Sequence, residues 1–199
     1  MEKIKKKSFH ILREKFNNCL MLGFWIYVMS DCLIFSSLFV VHAVIGKNYA
    51  LGPNGYELFD LKIVSINTMI LLLSSLTYGF IISNMNKKIK NKTILSIIFT
   101  CLLGILFIVV EIFELNKFIG LGAIPQCSAF LSSFFTILST HGIHVLFGVI
   151  SLLVLLIQIK KYGLIKKNRE RIICISIFWH FLDIIWIMIF SFVYLFGMY

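Results

Sequence analysis

Five long apolar stretches run through this chain, at about 20–45, 63–84, 94–113, 128–159 and 172–198. Each reaches the ~20 residues that a helix needs to cross a hydrocarbon core of ~30 Å. In lipid there is no water to satisfy the backbone, so each stretch must pair its own N–H and C=O groups, as a helix does. The two-residue alternation of a membrane barrel strand is absent. The expected fold class is all-α: a polytopic membrane protein, a five-transmembrane-helix bundle over residues 20–199, preceded by a basic cytoplasmic arm over residues 1–19. The first, fourth and fifth stretches are longer than one crossing requires, which implies tilt or projecting ends.

Composition supports lipid as the solvent. The chain is 59% hydrophobic and 14% charged, against roughly 45–50% and 25% in soluble domains. The net charge of +10 does not read as a nucleic-acid surface, because the basic residues flank the apolar runs. Sixteen of the 19 lysines and arginines fall in the amino-terminal arm, the Lys87–Lys92 turn and the Lys160–Arg171 turn. The other side holds Lys47, Lys62 and Lys117. Basic loops stay in the cytoplasm, so the amino terminus is expected inside and the carboxyl terminus in the periplasm. The basic start fits a signal peptide, but the apolar run after it is too long, carries Asp31 and lacks a small-residue cleavage site; it reads as a retained first helix. The sequence Leu51-Gly-Pro-Asn-Gly reads as an outer turn. Cys19, Cys32, Cys101, Cys127 and Cys174 form no C-x-x-C pair and read as small buried hydrophobes.

Ionisable groups at membrane depth are costly and call for partners. At ~1.5 Å per residue, Asp31, His144 and Asp183 fall near the bilayer midplane. His141 and His144 share a helix face, as do His180 and Asp183, three residues apart. A metal centre would draw on such pairs, and a bundle can build one from Glu and Glu-x-x-His ligands. The chain has no Glu-x-x-His, and its Glu111/Glu114 pair is expected near the outer end of the third helix, half a bilayer from His144. A haem would need axial ligands facing one cavity, and the paired spacing for that is missing. Asp31, His141, His144, His180 and Asp183 are therefore expected to form a structural interhelix polar cluster, with no catalytic, cofactor-binding or metal role. Trp179 and Trp186 are expected to pack around it.

Four segments carry a resemblance. Gly23-Phe-Trp-Ile-Tyr-Val-Met-Ser-Asp-Cys-Leu-Ile-Phe-Ser lies in the first helix. Ser128-Ala-Phe-Leu-Ser-Ser-Phe-Phe and Thr140-His-Gly-Ile-His-Val mark the fourth. Phe178-Trp-His-Phe-Leu-Asp-Ile-Ile-Trp marks the fifth. Together they resemble subunit III of the haem–copper oxidases, from about Gly23 to Gly197. Relatives of the cytochrome c branch usually have seven helices, so a count of five is closer to the cytochrome bo-type ubiquinol oxidase branch. The resemblance implies a non-catalytic accessory subunit of a proton-pumping complex in the bacterial inner membrane. Haem and copper would lie in the partner subunit I and none in this chain, with bound phospholipid compatible with the family. The implied partners are subunits I, II and IV and membrane lipid, with no nucleic acid. The Lys-rich arm departs from relatives that carry His-rich or acidic segments there. The alternative, a stand-alone transporter or channel, would be expected to show inverted repeats and broken helices. No internal symmetry is visible, and Pro53 and Pro125 both fall in outer loops.

Overall fold

The computed structural model describes residues 2–45 and 61–195, with side chains from residue 21 onward. The turn expected at Leu51-Gly-Pro-Asn-Gly and the end of the fifth stretch beyond residue 195 lie outside the described residues. Among the described residues every regular element is helical: α1 Glu2–Ile45, α2 Leu61–Asn86, α3 Lys90–Gly120, α4 Ala129–Tyr162 and α5 Lys166–Ile189. A π-helical turn, Phe190–Leu195, continues α5. Among the described residues five helices are long and apolar enough to cross a membrane, as the apolar stretches predict.

The helices outrun the expected spans at polar ends. α3 continues past residue 113 through Glu114 and Lys117 to Gly120. No helix breaker intervenes, and Glu114 turns inward, so a polar residue ends the apolar run without ending the helix. α5 begins at Lys166 rather than 172, because Lys166–Arg171 form its first turns. Between α4 and α5, Gly163 takes a positive φ of 73°, a backbone conformation that glycine reaches without steric cost. Its N–H bonds Ile159 O, and Asn168 Nδ2 donates to Gly163 O at 2.8 Å.

The chain divides into two compact units, Met1–Ser36 and Ser37–Tyr199. In the first, the basic arm and the first crossing form one unbroken helix. Asp31 is buried there, and Tyr27, one turn earlier, hydrogen-bonds it.

In the second unit α2 packs on α3, α3 on α4, α4 on α5, and α5 returns to α2. Lipid tails are as apolar as leucine, so close packing and interhelix hydrogen bonds must hold such helices together. Small residues supply the close approach. A Cβ at Gly104 of α3 would stand 2.9 Å from the Trp179 ring and 2.9 Å from Val149, and one at Gly148 of α4 would stand 3.1 Å from the same ring. Trp179 of α5 thus wedges against α3 and α4 where both lack side chains. Around it lie Tyr78, Ile97, Cys101, Leu152 and Ile172, all buried. Of the cysteines, Cys101 is buried as expected, but Cys32 and Cys127 are exposed. Outward faces carry apolar residues such as Phe113 and Ile143, which are 68% and 66% exposed and suit lipid contact.

Candidate functional site

The hydrogen bonds that cross between helices come largely from residues with no formal charge. Trp179 Nε1 donates to Ser74 Oγ at 3.0 Å, and Trp186 Nε1 to Thr68 Oγ1 at 3.0 Å. Tyr78 OH donates to Ile172 O at 2.9 Å. These three tie α5 to α2. Thr77 and Thr100 hydroxyls meet at 2.8 Å between α2 and α3. Near the carboxyl-terminal end of α1, His42 Nδ1 meets Ser133 Oγ of α4 at 2.8 Å. The tryptophans, expected only to pack, also serve as hydrogen-bond donors.

The residues expected to cluster divide into different local arrangements. His141 is fully buried, and its Nε2 lies 3.3 Å from Leu182 O of α5. Its ring contacts Phe107 and Trp186, with centroids 5.7 and 5.2 Å away. His144 turns back onto its own helix, with Nδ1 2.7 Å from Thr140 O. His180 also stays on its own helix, with Nδ1 3.5 Å from Asp183 Oδ2. Its side chain is 48% exposed whereas Asp183 is buried. Within the second unit, His141, His144, His180 and Asp183 thus take part in three local contacts. The i, i+3 spacing that placed His180 beside Asp183 let the two pair within α5. A half-buried histidine four residues from a backbone carbonyl can likewise pair within α4. His141 reaches α5 from α4, and Asp183 reaches Ser75 of α2 from α5.

A second polar group was misplaced by the sequence. Glu111 and Glu114 are both buried on α3. The Glu111 carboxyl lies against α4, with Oε2 3.0 Å from where a Cβ of Gly142 would stand. Gly142 lies between His141 and His144, so Glu111 is level with the histidines, not half a bilayer away. Tyr194, on the π-helical turn, interacts electrostatically with both glutamates. Phe107, one turn before Glu111, meets Trp186 edge-on with centroids 4.7 Å apart. The i, i+3 spacing of the glutamates signalled a shared face; the early end assigned to the apolar run hid their depth. Asn67 of α2 is fully buried too, and its position inside an apolar run gave no warning of that.

These side chains are arranged to exchange hydrogen bonds and hold a bundle. Among the described residues, no three His, Cys, Asp or Glu side chains form a group able to hold a metal ion. His141, the most enclosed histidine, directs Nε2 to a backbone carbonyl.

The family described as cytochrome c oxidase subunit III matches residues 7–198. The chain belongs to that family. Among similar proteins is one from Pseudomonas putida named cytochrome bo(3) ubiquinol oxidase subunit 3, 44% identical over 176 residues, covering 88% of this chain and 85% of that protein. A protein of the same name from Buchnera aphidicola subsp. Baizongia pistaciae is 43% identical over 193 residues, covering 97% and 99%. A Staphylococcus haemolyticus protein named probable quinol oxidase subunit 3 is 41% identical over 179 residues, covering 89% of each. Within the cytochrome c oxidase subunit III family, the Thr140-His-Gly-Ile-His and Phe178-Trp-His-Phe-Leu-Asp segments acquire a structural meaning here. They supply His141, Gly142, Trp179 and Asp183, four residues at the contacts just described.

Proposed function

We propose that this chain is the non-catalytic subunit III of a proton-pumping cytochrome bo-type ubiquinol oxidase, the complex that oxidises ubiquinol and reduces oxygen to water. It is a multi-pass protein of the bacterial inner membrane. The observation that carries the reading is full-length similarity to ubiquinol oxidase subunits 3, up to 97% of this chain and 99% of the relative. That similarity supports an accessory subunit rather than a stand-alone transporter. In the finer reading, the chain packs on subunit I, which holds haem and copper, works alongside subunits II and IV, stabilises the complex and binds phospholipid. The arm of residues 1–19 faces the cytoplasm and the carboxyl terminus the periplasm. The hydrogen-bonded bundle supports this reading, because Tyr78, Trp179, Trp186 and His141 hold helices together.

Affinity purification of the tagged chain in mild detergent tests the proposal. A large haem-bearing membrane protein is expected to co-purify, and the purified material should oxidise ubiquinol. Isolation of the chain without any haem protein, under conditions that preserve quinol oxidase activity in the membrane, would overturn it.

A further inference from the structure

Asn67 and Glu111 carry polar atoms that the hydrogen bonds around them leave out. Neither Oδ1 nor Nδ2 of Asn67 has a hydrogen-bond partner among the described residues, and neither does Oε1 of Glu111. Asn67 is fully enclosed and Glu111 is 3% exposed. Their neighbours are engaged. Thr68 Oγ1 donates to Val64 O at 2.9 Å and accepts from Trp186 Nε1. Tyr194 hydrogen-bonds Glu114, and His141 Nε2 meets Leu182 O.

The two residues lie at one level of the bundle. α2 and α3 run antiparallel on either side of a short turn, and the Thr77–Thr100 contact fixes their register. Asn67 stands ten residues before Thr77, and Glu111 eleven after Thr100. At ~1.5 Å per residue the two positions agree to about 2 Å along the helix axis. Both sit in buried rows, Asn67 with Val64 and Leu71, and Glu111 with Gly104 and Phe107. α5 reaches the same level: Trp186 donates to Thr68, next to Asn67, and meets Phe107, one turn before Glu111.

An occupant here must be small, must donate to two oxygens and must accept from an amide. Water does all three, and a buried water ordinarily makes about three such bonds. A metal ion accepts nothing from an amide N–H, and no group of three His, Cys, Asp or Glu among the described residues could hold one. An anion would face the Glu111 carboxyl.

We propose that Asn67 and Glu111 bind ordered water inside the bundle, with Trp186 and Phe107 as its aromatic wall. The site goes beyond the function proposed above and is independent of the subunit assignment. It gives the amide and the acid a hydrogen-bonding partner at a depth where lipid offers none.

Radiolytic footprinting of the complex purified through this chain tests the site. An X-ray pulse converts bound water to hydroxyl radical, which oxidises adjacent rings, and mass spectrometry reads the labelled residue. Trp179 is the matched control for Trp186: both lie on α5, each is 1% exposed, and each indole donates to a hydroxyl of α2. Trp186 is expected to be labelled severalfold more than Trp179. Asn67→Leu should bring Trp186 down to the level of Trp179, whereas Glu111→Gln, which keeps an acceptor oxygen, should preserve the labelling. Equal labelling of the two tryptophans in the wild type would overturn the proposal. So would unchanged labelling of Trp186 in Asn67→Leu. If Asn67→Leu does not assemble, the wild-type comparison of the two tryptophans decides alone.

Discussion

The carboxyl of Glu111 lies over the backbone of Gly142, in space that any other residue's Cβ would take at 3.0 Å from Oε2. A buried acid at this depth demands room as well as partners, and the missing side chain on α4 supplies the room. Gly142→Ala should therefore displace Glu111. Overpacking of this kind costs about 1–3 kcal/mol. Thermal unfolding of the purified complex should show the loss. Glu111→Ala in the same chain should recover part of it, since contacting residues couple by about 0.5–3 kcal/mol. Additive losses would show that the two do not share the space.

Trp179 joins three helices, wedging against Gly104 and Gly148 and donating to Ser74 Oγ. Ser74→Ala removes the acceptor and should cost about 0.6 kcal/mol, the average for such bonds between membrane helices. Gly104→Ala should cost more, about 1–3 kcal/mol, because its Cβ would meet both Trp179 and Val149 at 2.9 Å. Detergent stability of the two variants, compared side by side, checks the order.

Asp183 is buried beside a half-exposed His180. Asp183→Ala should lower the amount of assembled oxidase while leaving turnover per assembled complex near wild type. His180→Ala, which leaves the buried carboxyl without this partner, should cost assembly at least as much. Native gel quantification combined with turnover per haem reads both. Normal assembly with lost turnover would contradict a structural role.

The fold was legible because span length is a physical requirement of the bilayer. Five apolar runs announced five helices, and basic turns separated α2 from α3 and α4 from α5. Helix ends were less legible: Glu114 and Lys117 closed an apolar run that α3 continues through. The candidate site was half visible. Periodicity correctly joined His180 to Asp183, but it cannot say whether such a pair serves its own helix or another. The hydrogen bonds of Trp179, Trp186 and Tyr78 were invisible because their acceptors, Ser74, Thr68 and the carbonyl of Ile172, lie 105, 118 and 94 residues away in the chain. Gly142 gave no signal because its role is an absence of side chain opposite a residue on another helix.

In the proposed function this chain supports an oxidase without holding its redox centres. The most direct measurement is the haem and copper content of the chain after its separation from the intact ubiquinol oxidase in detergent. The separated chain is expected to carry neither group, with both staying on the remaining complex. Stoichiometric haem or copper on this chain would contradict it.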